Sequence, residues 1–499
     1  MGTSLLSPEF AFSAGFVATL QRTNPWWEGH AMPSLPTTRR HLVAGIRRRL
    51  VQSLAPIVVL RGPRQIGKTT AQLHLIDDLL REGVNPRRIL RVQFDDLTEF
   101  ARLESPLLRI VEWFESAVLG STLNQAAHEG GKVYLFLDEV QNLRRWDTQL
   151  KFLVDNSTVS VVVTGSSALR IERGRDSLAG RITTLEGGVL SLTEIGAIAG
   201  IDLGQPLLRD NGLEALAVPD FWGSLRDHGE SLAIPRDEVF RRFSERGGYP
   251  LAQANYEVPW ADVAEQLNET VVRRVIQHDL RLGERGRRRD PELLEEVFRL
   301  ACRYAGQTPG PQLFAREAQR ALGANIGVQR IRSYLSFLDE SLLIRRINPL
   351  EIRLKRRRGN PKLCLADHGL RASWLQEEVP LNAAQLRERP EMTTQAGRIA
   401  ESVAGACLNS ISGLQVAHYP ERSGTPEVDF ILIVGDRRIP LEVKYQARID
   451  PLRDSEGIRS FLETAANNAP FGVLVSQTAI EMDDPRIVNV PLSSLLLLR

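Results

Sequence analysis

Between residues 41 and about 200, short unbroken runs of Val, Ile and Leu alternate with stretches whose apolar residues recur at helical spacing. The runs at 57–61 (IVVLR), 89–94, 133–137 (VYLFL) and 159–163 predict strands. Residues 68–80, 107–119 and 146–154 predict helices. Strands apolar on both faces and separated by helices imply a parallel sheet covered on both sides. Residues 205–240 are rich in Gly, Pro and Asp and predict a connection with a little helix. Residues 240–290 predict helix, ending in a charged run from Arg281 to Asp290. Three helical stretches follow, at 292–305, 312–322 and 328–340, then two strands, 342–347 and 363–366, around a basic loop. Residues 391–499 predict helix, β-hairpin, helix and strand, a second α/β unit. Residues 1–40, with Pro25, Pro33 and Pro36, predict an arm in which Trp26 and Trp27 serve as a packing anchor rather than a base-stacking platform.

Composition narrows this picture. At about 150 residues per domain, 499 residues suggest about three domains. With 63 basic and 61 acidic side chains the net charge is only +2, which excludes a histone-like polycation but not a local basic patch. No run reaches the roughly 18 apolar residues of a membrane span. The apolar stretch 10–20 is short and follows Glu9 without a basic segment, so no signal peptide is expected. Cys302, Cys364 and Cys407 are far apart, with no disulfide or zinc spacing, and a reducing cytoplasm is the expected compartment. Lysine occurs only at 68, 132, 151, 355, 362 and 444, so a lysine in this arginine-rich chain can mark a site that needs a compact ammonium.

Lys68 lies in the motif Gly62, Pro63, Arg64, Gln65, Ile66, Gly67, Lys68, Thr69, which matches the phosphate-binding pattern at every fixed position. A strand precedes it and a helix follows. Its glycines would let backbone N–H groups close around phosphate, with the helix N-terminus adding positive potential. Lys68 would reach the β- and γ-phosphates of ATP and Thr69, with Thr70 beside it, would ligate magnesium. Asp138 and Glu139, at the end of the strand 133–137, would hold that magnesium and activate water, respectively. Thr164 and Ser166, at the end of the next strand, compete as sensors of the γ-phosphate.

These residues carry a resemblance. GPRQIGKTT, FLDEVQNLRRWDTQLKFLVDN, VVVTGSSALRI and SLAGRI resemble a group of bacterial and archaeal AAA-type ATPases. In that group a winged-helix segment and a nuclease-like C-terminal domain of unknown function follow the ATPase. GGYP at 247–250, PKLCLADHGL at 361–370 and EVDF at 427–430 extend the likeness across roughly 45–450. The resemblance implies a homo-oligomer that hydrolyses ATP between subunits with an arginine finger, for which Arg181 and Arg175 are candidates. The implied order is arm 1–40, AAA-type core 41–204, connection and helical lid 205–290, winged helix with basic wing 291–370, and nuclease-like domain 391–499.

A second chemical signal lies at 426–444. Gly435-Asp436 is a two-residue hairpin turn with Gly first. Counting back from it, Asp429 falls opposite Glu442, with Lys444 on the same face and Val428, Phe430, Leu441 and Val443 on the other. Two facing carboxylates repel, and a divalent cation would relieve them. The D…(D/E)-x-K pattern resembles the PD-(D/E)xK nucleases, including Holliday-junction resolvases, which also place an acid on a preceding helix; Glu401 matches it. The resemblance implies Asp429 and Glu442 as magnesium or manganese ligands, with Glu401 and Lys444 completing an endodeoxyribonuclease site. The alternative is a nuclease-type fold kept for binding, with Lys444 merely paired to Glu442.

The helical stretches 312–322 and 328–340 have helix-turn-helix spacing. Gln329, Arg330 and Arg332 lie where a recognition helix meets DNA. Arg345, Arg346, Arg353, Lys355, Arg356, Arg357 and Arg358 crowd the strand and loop beyond. Cys364 and His368 have no second pair of ligands nearby and are expected to be structural. The expectation is ATP-driven DNA processing, with cleavage or binding by the C-terminal domain and no membrane; the alternative is a nucleotide-controlled switch whose C-terminal domain binds without cutting.

Overall fold

The computed structural model describes residues 12–94, 104–165, 177–208, 212–279, 290–352, 355–356, 359–421 and 424–499. The chain divides into two compact units, residues 1–62 with 67–187 and residues 63–66 with 188–499.

The first unit is built on strands β1 (Ile57–Arg61), β2 (Ile89–Gln93), β3 (Tyr134–Asp138), β4 (Ser160–Gly165) and β5 (Ile182–Glu186). They form one parallel sheet in the order β2-β3-β4-β1-β5. Alternate residues of β1 feed two separate cores: Ile57 and Val59 pack with Leu137 and Val163, while Val58 and Leu60 pack with Phe136 and Val162. This is why the strand sequences are unbroken apolar runs rather than alternating ones. The sequence pattern predicts four strands, and the fifth is β5. Its ITTLE sequence is half polar because it is an edge strand, with only Leu185 fully buried.

The arm is stitched to the opposite edge. Phe16 and Leu20, from the helix Ala14–Thr23, enter the core beside β1. Asn24 brackets the Arg91 backbone on β2, accepting from its N–H at 2.6 Å and donating to its carbonyl at 2.8 Å. The indole N–H groups of Trp26 and Trp27 both donate to the Ile89 carbonyl, at 3.1 and 2.8 Å. The tryptophans are therefore anchors that satisfy an open strand edge.

The second unit holds strands β6 (Ile344–Ile347), β7 (Glu351–Ile352), β8 (Lys355–Arg356), β9 (Lys362–Leu365), β10 (Gln415–Tyr419), β11 (Val428–Val434), β12 (Arg437–Lys444), β13 (Gly472–Ser476) and β14 (Ile487–Pro491). The helices Pro291–Arg303, Pro311–Leu322 and Val328–Glu340 precede an antiparallel β6–β9 pair, with the small β7–β8 ladder between its strands. Strands β10 to β14 form a five-stranded sheet in chain order, antiparallel through β12 and parallel beyond it. β10 and β14 are additions to the predicted order, since both are short and mixed in polarity. The stretch 205–240, expected to be mostly connection, is instead largely helical: Pro219–Ser231 is one helix and Ala233–Arg246 begins the next. Its glycines hide the periodicity, and Gly229 is needed because a Cβ there would lie 2.0 Å from Ser494 Oγ.

The sheet is packed on both faces. Phe430, Leu432, Ile439, Leu441 and Val443 join Trp222, Leu225 and the helix Thr393–Asn409 in the largest core. Val428 does not share that face as the hairpin count expects; it packs with Tyr419, Ile431 and Phe461. Its partner Tyr419 sits at a register shift in the β10–β11 pairing, so the alternation is interrupted there.

Gly405 sets how closely the helix Thr393–Asn409 approaches β9 and β11. A Cβ at this position would lie 2.5 Å from Cys364 Sγ and 2.8 Å from the Phe430 ring. Both neighbours are fully buried, so neither can swing away cheaply. Gly405→Ala is expected to cost about 1–3 kcal/mol of stability by overpacking. Urea titration checks this, and an unchanged midpoint would show that the helix can step back freely.

Candidate functional site

The loop after β1 enters the helix Lys68–Arg81 through Gly67, whose φ of 87° is left-handed. A Cβ there would meet nothing within 4 Å, so backbone conformation rather than space calls for glycine. Gln65 is also left-handed, with φ 62°. Lys68 is buried and its ammonium donates to the Gly62 carbonyl at 3.0 Å, folding the side chain back over the loop. Ile66 is buried, while Gln65 is exposed; Arg64 and Thr70 lie in between.

Thr69 Oγ1 donates to Asp138 Oδ2 at 2.7 Å. β4 lies between β1 and β3, so this pair is closed across the end of the sheet. Asp138 is 1% exposed. Thr164, from β4, donates to its other oxygen and accepts from Gln72 Nε2 at 3.1 Å. Thr164 is thus tied to Asp138, and Ser166, its competitor, lies outside the described residues, as does Arg175. A hydroxyl and a carboxylate converging beside the loop lysine fit a magnesium ion, with Thr69 and Asp138 as the residues to hold it. Glu139 has a left-handed φ of 51° and its carboxylate accepts from Gln141 Nε2. A non-glycine residue held there costs of order 1 kcal/mol or more, a strain that clusters at functional sites.

Arg91 is a further partner of Asp138 that no sequence motif marks. It stands in the middle of β2 and its guanidinium reaches Asp138 Oδ2 at 3.3 Å, with both side chains under 10% exposed. Burial lowers the Arg91 pKa, and Asp138 acts against that fall. The only sequence signal is a cation inside an apolar strand. Arg181 is held by Asp155 through two bonds, 2.5 and 3.0 Å, at a partly exposed surface.

The C-terminal carboxylates are brought together as the hairpin count expects. Gly435 has φ 61° and the ladder runs from Val434↔Arg437 to Phe430↔Leu441. Beyond it, side chains replace the ladder: the Asp429 N–H donates to Glu442 Oε2 at 3.3 Å, and the Val443 N–H donates to Asp429 Oδ2 at 2.9 Å. Lys444 donates to Glu442 Oε1 at 2.7 Å. The unexpected member is Lys362, the first residue of β9. Its ammonium donates to Glu401 and, at 2.7 Å, to Asp429 Oδ1, with Glu427 Oε1 at 3.4 Å and the Phe430 ring centroid at 5.3 Å. The Lys362 side chain is 2% exposed.

Charge is distributed unevenly in this cluster. Burial, then Asp429, pushes Glu442 up to about 8 and Glu401 well above the carboxylate range. Burial would raise Asp429 too, but the Lys362 ammonium together with hydrogen bonds from Glu401 and the Val443 N–H holds that carboxyl low. Burial works against the Lys362 charge, and Asp429, Glu401 and Glu427 overcome it. Among the described residues no group of three His, Cys, Asp or Glu side chains is arranged to hold a metal ion. What stands among these acids is the Lys362 ammonium.

Of the basic set, Gln329 and Arg332 are exposed on the helix Val328–Glu340. Arg330 is partly engaged by Asp290 at 3.3 Å and lies over the Tyr334 ring. Arg346 is bonded to Asp339 at 3.0 Å. Lys355 and Arg356 form β8, and Arg353, Arg357 and Arg358 lie outside the described residues. The segments GGYP and PKLCLADHGL meet: Asp367 accepts from the Gly248 N–H at 2.6 Å and caps the helix His368–Leu375 through the Gly369 N–H at 2.8 Å. Their role is to lock one another. Cys364 is fully buried and His368 faces the Ser244 carbonyl at 3.1 Å, both inside the packed unit.

Comparison with known proteins accords with the first of these sites. Residues 55–196 match the family model of an AAA domain, AAA_14. Residues 237–380 and 396–495 match two domains of unknown function, DUF8612 and DUF4143. An uncharacterized protein of Methanocaldococcus jannaschii is 33% identical over 120 residues, 24% of this chain and 23% of that protein. An uncharacterized protein of Haemophilus influenzae is 22% identical over 324 residues, 63% of this chain and 68% of its own length. Among solved structures, the Walker-type ATPase of Pyrococcus abyssi aligns with a TM-score of 0.40 at 15% identity, over 69% of this chain and 99% of its own. The family match supports an AAA-like P-loop ATPase domain in the segment that carries the phosphate loop.

Proposed function

We propose that the chain is a magnesium-dependent ATPase acting on DNA, with hydrolysis at the loop after β1. The observation that carries this reading is the convergence of Lys68, Thr69 and Asp138 at the end of one parallel sheet. Lys68 would turn from the Gly62 carbonyl to the transferred phosphate, a short swing for a flexible side chain. Bound magnesium would offset the negative charge developing on the phosphate oxygens. Thr69 and Asp138 would orient it, and Arg91 and Thr164 keep Asp138 aimed. Glu139 would draw the proton from the attacking water. Arg181 from a neighbouring subunit of a homo-oligomer would complete the site, which requires that it exchange Asp155 for phosphate.

The DNA part of the reading is supported by the three helices followed by the β6–β9 pair, the order of a winged helix, and by exposed Gln329 and Arg332 on the third helix. The C-terminal sheet, preceded by the helix bearing Glu401, supports a nuclease-like fold. A second reading is favoured by Lys362: a nucleotide-controlled switch whose C-terminal module binds without cutting.

Lys68→Ala is expected to weaken ATP binding about tenfold to a hundredfold, the worth of a charge-assisted hydrogen bond. Calorimetric titration reads this, and unchanged affinity would refute the assignment of the loop. Glu139→Gln should keep ATP affinity while lowering turnover by about 10² to 10⁴; retained turnover would move the base elsewhere. Arg332→Ala should weaken DNA binding and reduce its salt dependence by about one counterion. Fluorescence anisotropy over a salt series decides this, since an identical slope would leave the helix off the DNA.

A further inference from the structure

We propose that Lys362 is the resident cation of the C-terminal carboxylate cluster, standing where a divalent ion would sit, and that this cluster binds no metal. The inference deepens the second reading above and rests on it only for its consequence, that the module works without metal-assisted cleavage. Asp429 Oδ1 accepts from the Lys362 ammonium and Oδ2 from the Val443 N–H. Glu442 Oε1 accepts from Lys444 and Oε2 from the Asp429 N–H. Each oxygen of the two acids expected to ligate metal already faces a donor. Glu401, the third acid, accepts from Lys362 as well.

The lysine is not placed to withdraw. β9 is paired with β6 along its whole length, Ile347 opposite Lys362, and the Leu365 N–H donates to Ser402 Oγ at 2.9 Å on the helix that carries Glu401. All four residues of β9 are buried. Retracting the ammonium would bury it against Phe430 and Cys364 without its acids, and uncompensated buried charge is strongly disfavoured. A lysine that merely brushed past an acidic pocket would be exposed and free to swing into water. This one joins β9, the helix Thr393–Asn409 and the hairpin β11–β12 through a single ammonium. Divalent ions bound through such acids need bare carboxylate oxygens with room for several ligands, and here the ammonium fills that room.

The test uses the full chain, free of nucleotide, in a Thr69→Ala background that removes the other candidate ion site. Mn²⁺ binding is counted by electron paramagnetic resonance up to millimolar ion. With Lys362 intact, no stoichiometric site is expected. Lys362→Met should gain one Mn²⁺ per chain, and Asp429→Asn should abolish the gain. Because Lys362→Met can fail to fold, Lys362→Met combined with Glu401→Gln provides a second variant with one fewer buried acid, expected to gain the same ion. One Mn²⁺ per chain with Lys362 intact, lost in Glu442→Gln, would overturn the proposal. So would a folded lysine-free variant that binds none, since the lysine would then not stand in an ion's place. DNA cleavage that needs no divalent ion would refute the non-cutting reading yet leave the resident cation intact, so the two failures are distinguishable.

Discussion

A carboxylate removed from water must be met by a cation or by hydrogen-bond donors, and both candidate sites in this protein are solutions to that constraint. Asp138 is sealed at the end of β3 and met by Thr69, Thr164 and Arg91. Asp429 is sealed at the end of a hairpin and met by Lys362 and a backbone N–H. The difference lies in what each arrangement leaves open. Asp138 Oδ2 is met at 2.7 Å by the Thr69 hydroxyl, a group that itself ligates hard cations, with the Arg91 guanidinium further off at 3.3 Å, so Thr69 and Asp138 can share an ion. Asp429 is met at 2.7 Å by the Lys362 ammonium, which has no lone pair to offer an ion.

The packing around each site follows from these pairings. β4 must run between β1 and β3 for Thr164 to reach Asp138, and Arg91 must point inward from an apolar strand. The cost of burying that guanidinium is offset by the carboxylate and by Gln93 Oε1, which accepts from it at 3.2 Å, while Asn24 of the arm fixes the Arg91 backbone. In the second unit Gly405 lets the helix bearing Glu401 pack closely on Cys364 of β9 and Phe430 of β11. Small residues and buried charges are therefore parts of one design: the glycine permits the approach and the ammonium makes it favourable.

The matched family models fall on separate segments of the chain. The AAA model covers the sheet with the phosphate loop, whereas the models over 237–380 and 396–495 describe domains of unknown function. The Lys362 cluster lies across these two segments, with the lysine in one and Glu401, Asp429 and Glu442 in the other. The segments therefore share a charged centre that neither would possess alone.

The features legible in the sequence are those set by local rules. Strand runs apolar on both faces, a glycine-rich turn between strand and helix, and a Gly-Asp hairpin turn each depend on residues within a few positions of one another. Hence the phosphate loop, the Asp138-Glu139 pair and the β11–β12 register could be read directly, down to Val434 opposite Arg437. Lys362 could be noticed as one of six lysines but not placed, because its acids lie 39 and 67 positions further on. The same holds for Arg91, which is 47 positions from Asp138, and for β5, whose half-polar sequence becomes a strand only at the sheet edge. Local spacing determined which residues carry chemistry. Only the tertiary structure decided which charges meet, because burial energetics act on neighbours in space, whatever their separation along the chain.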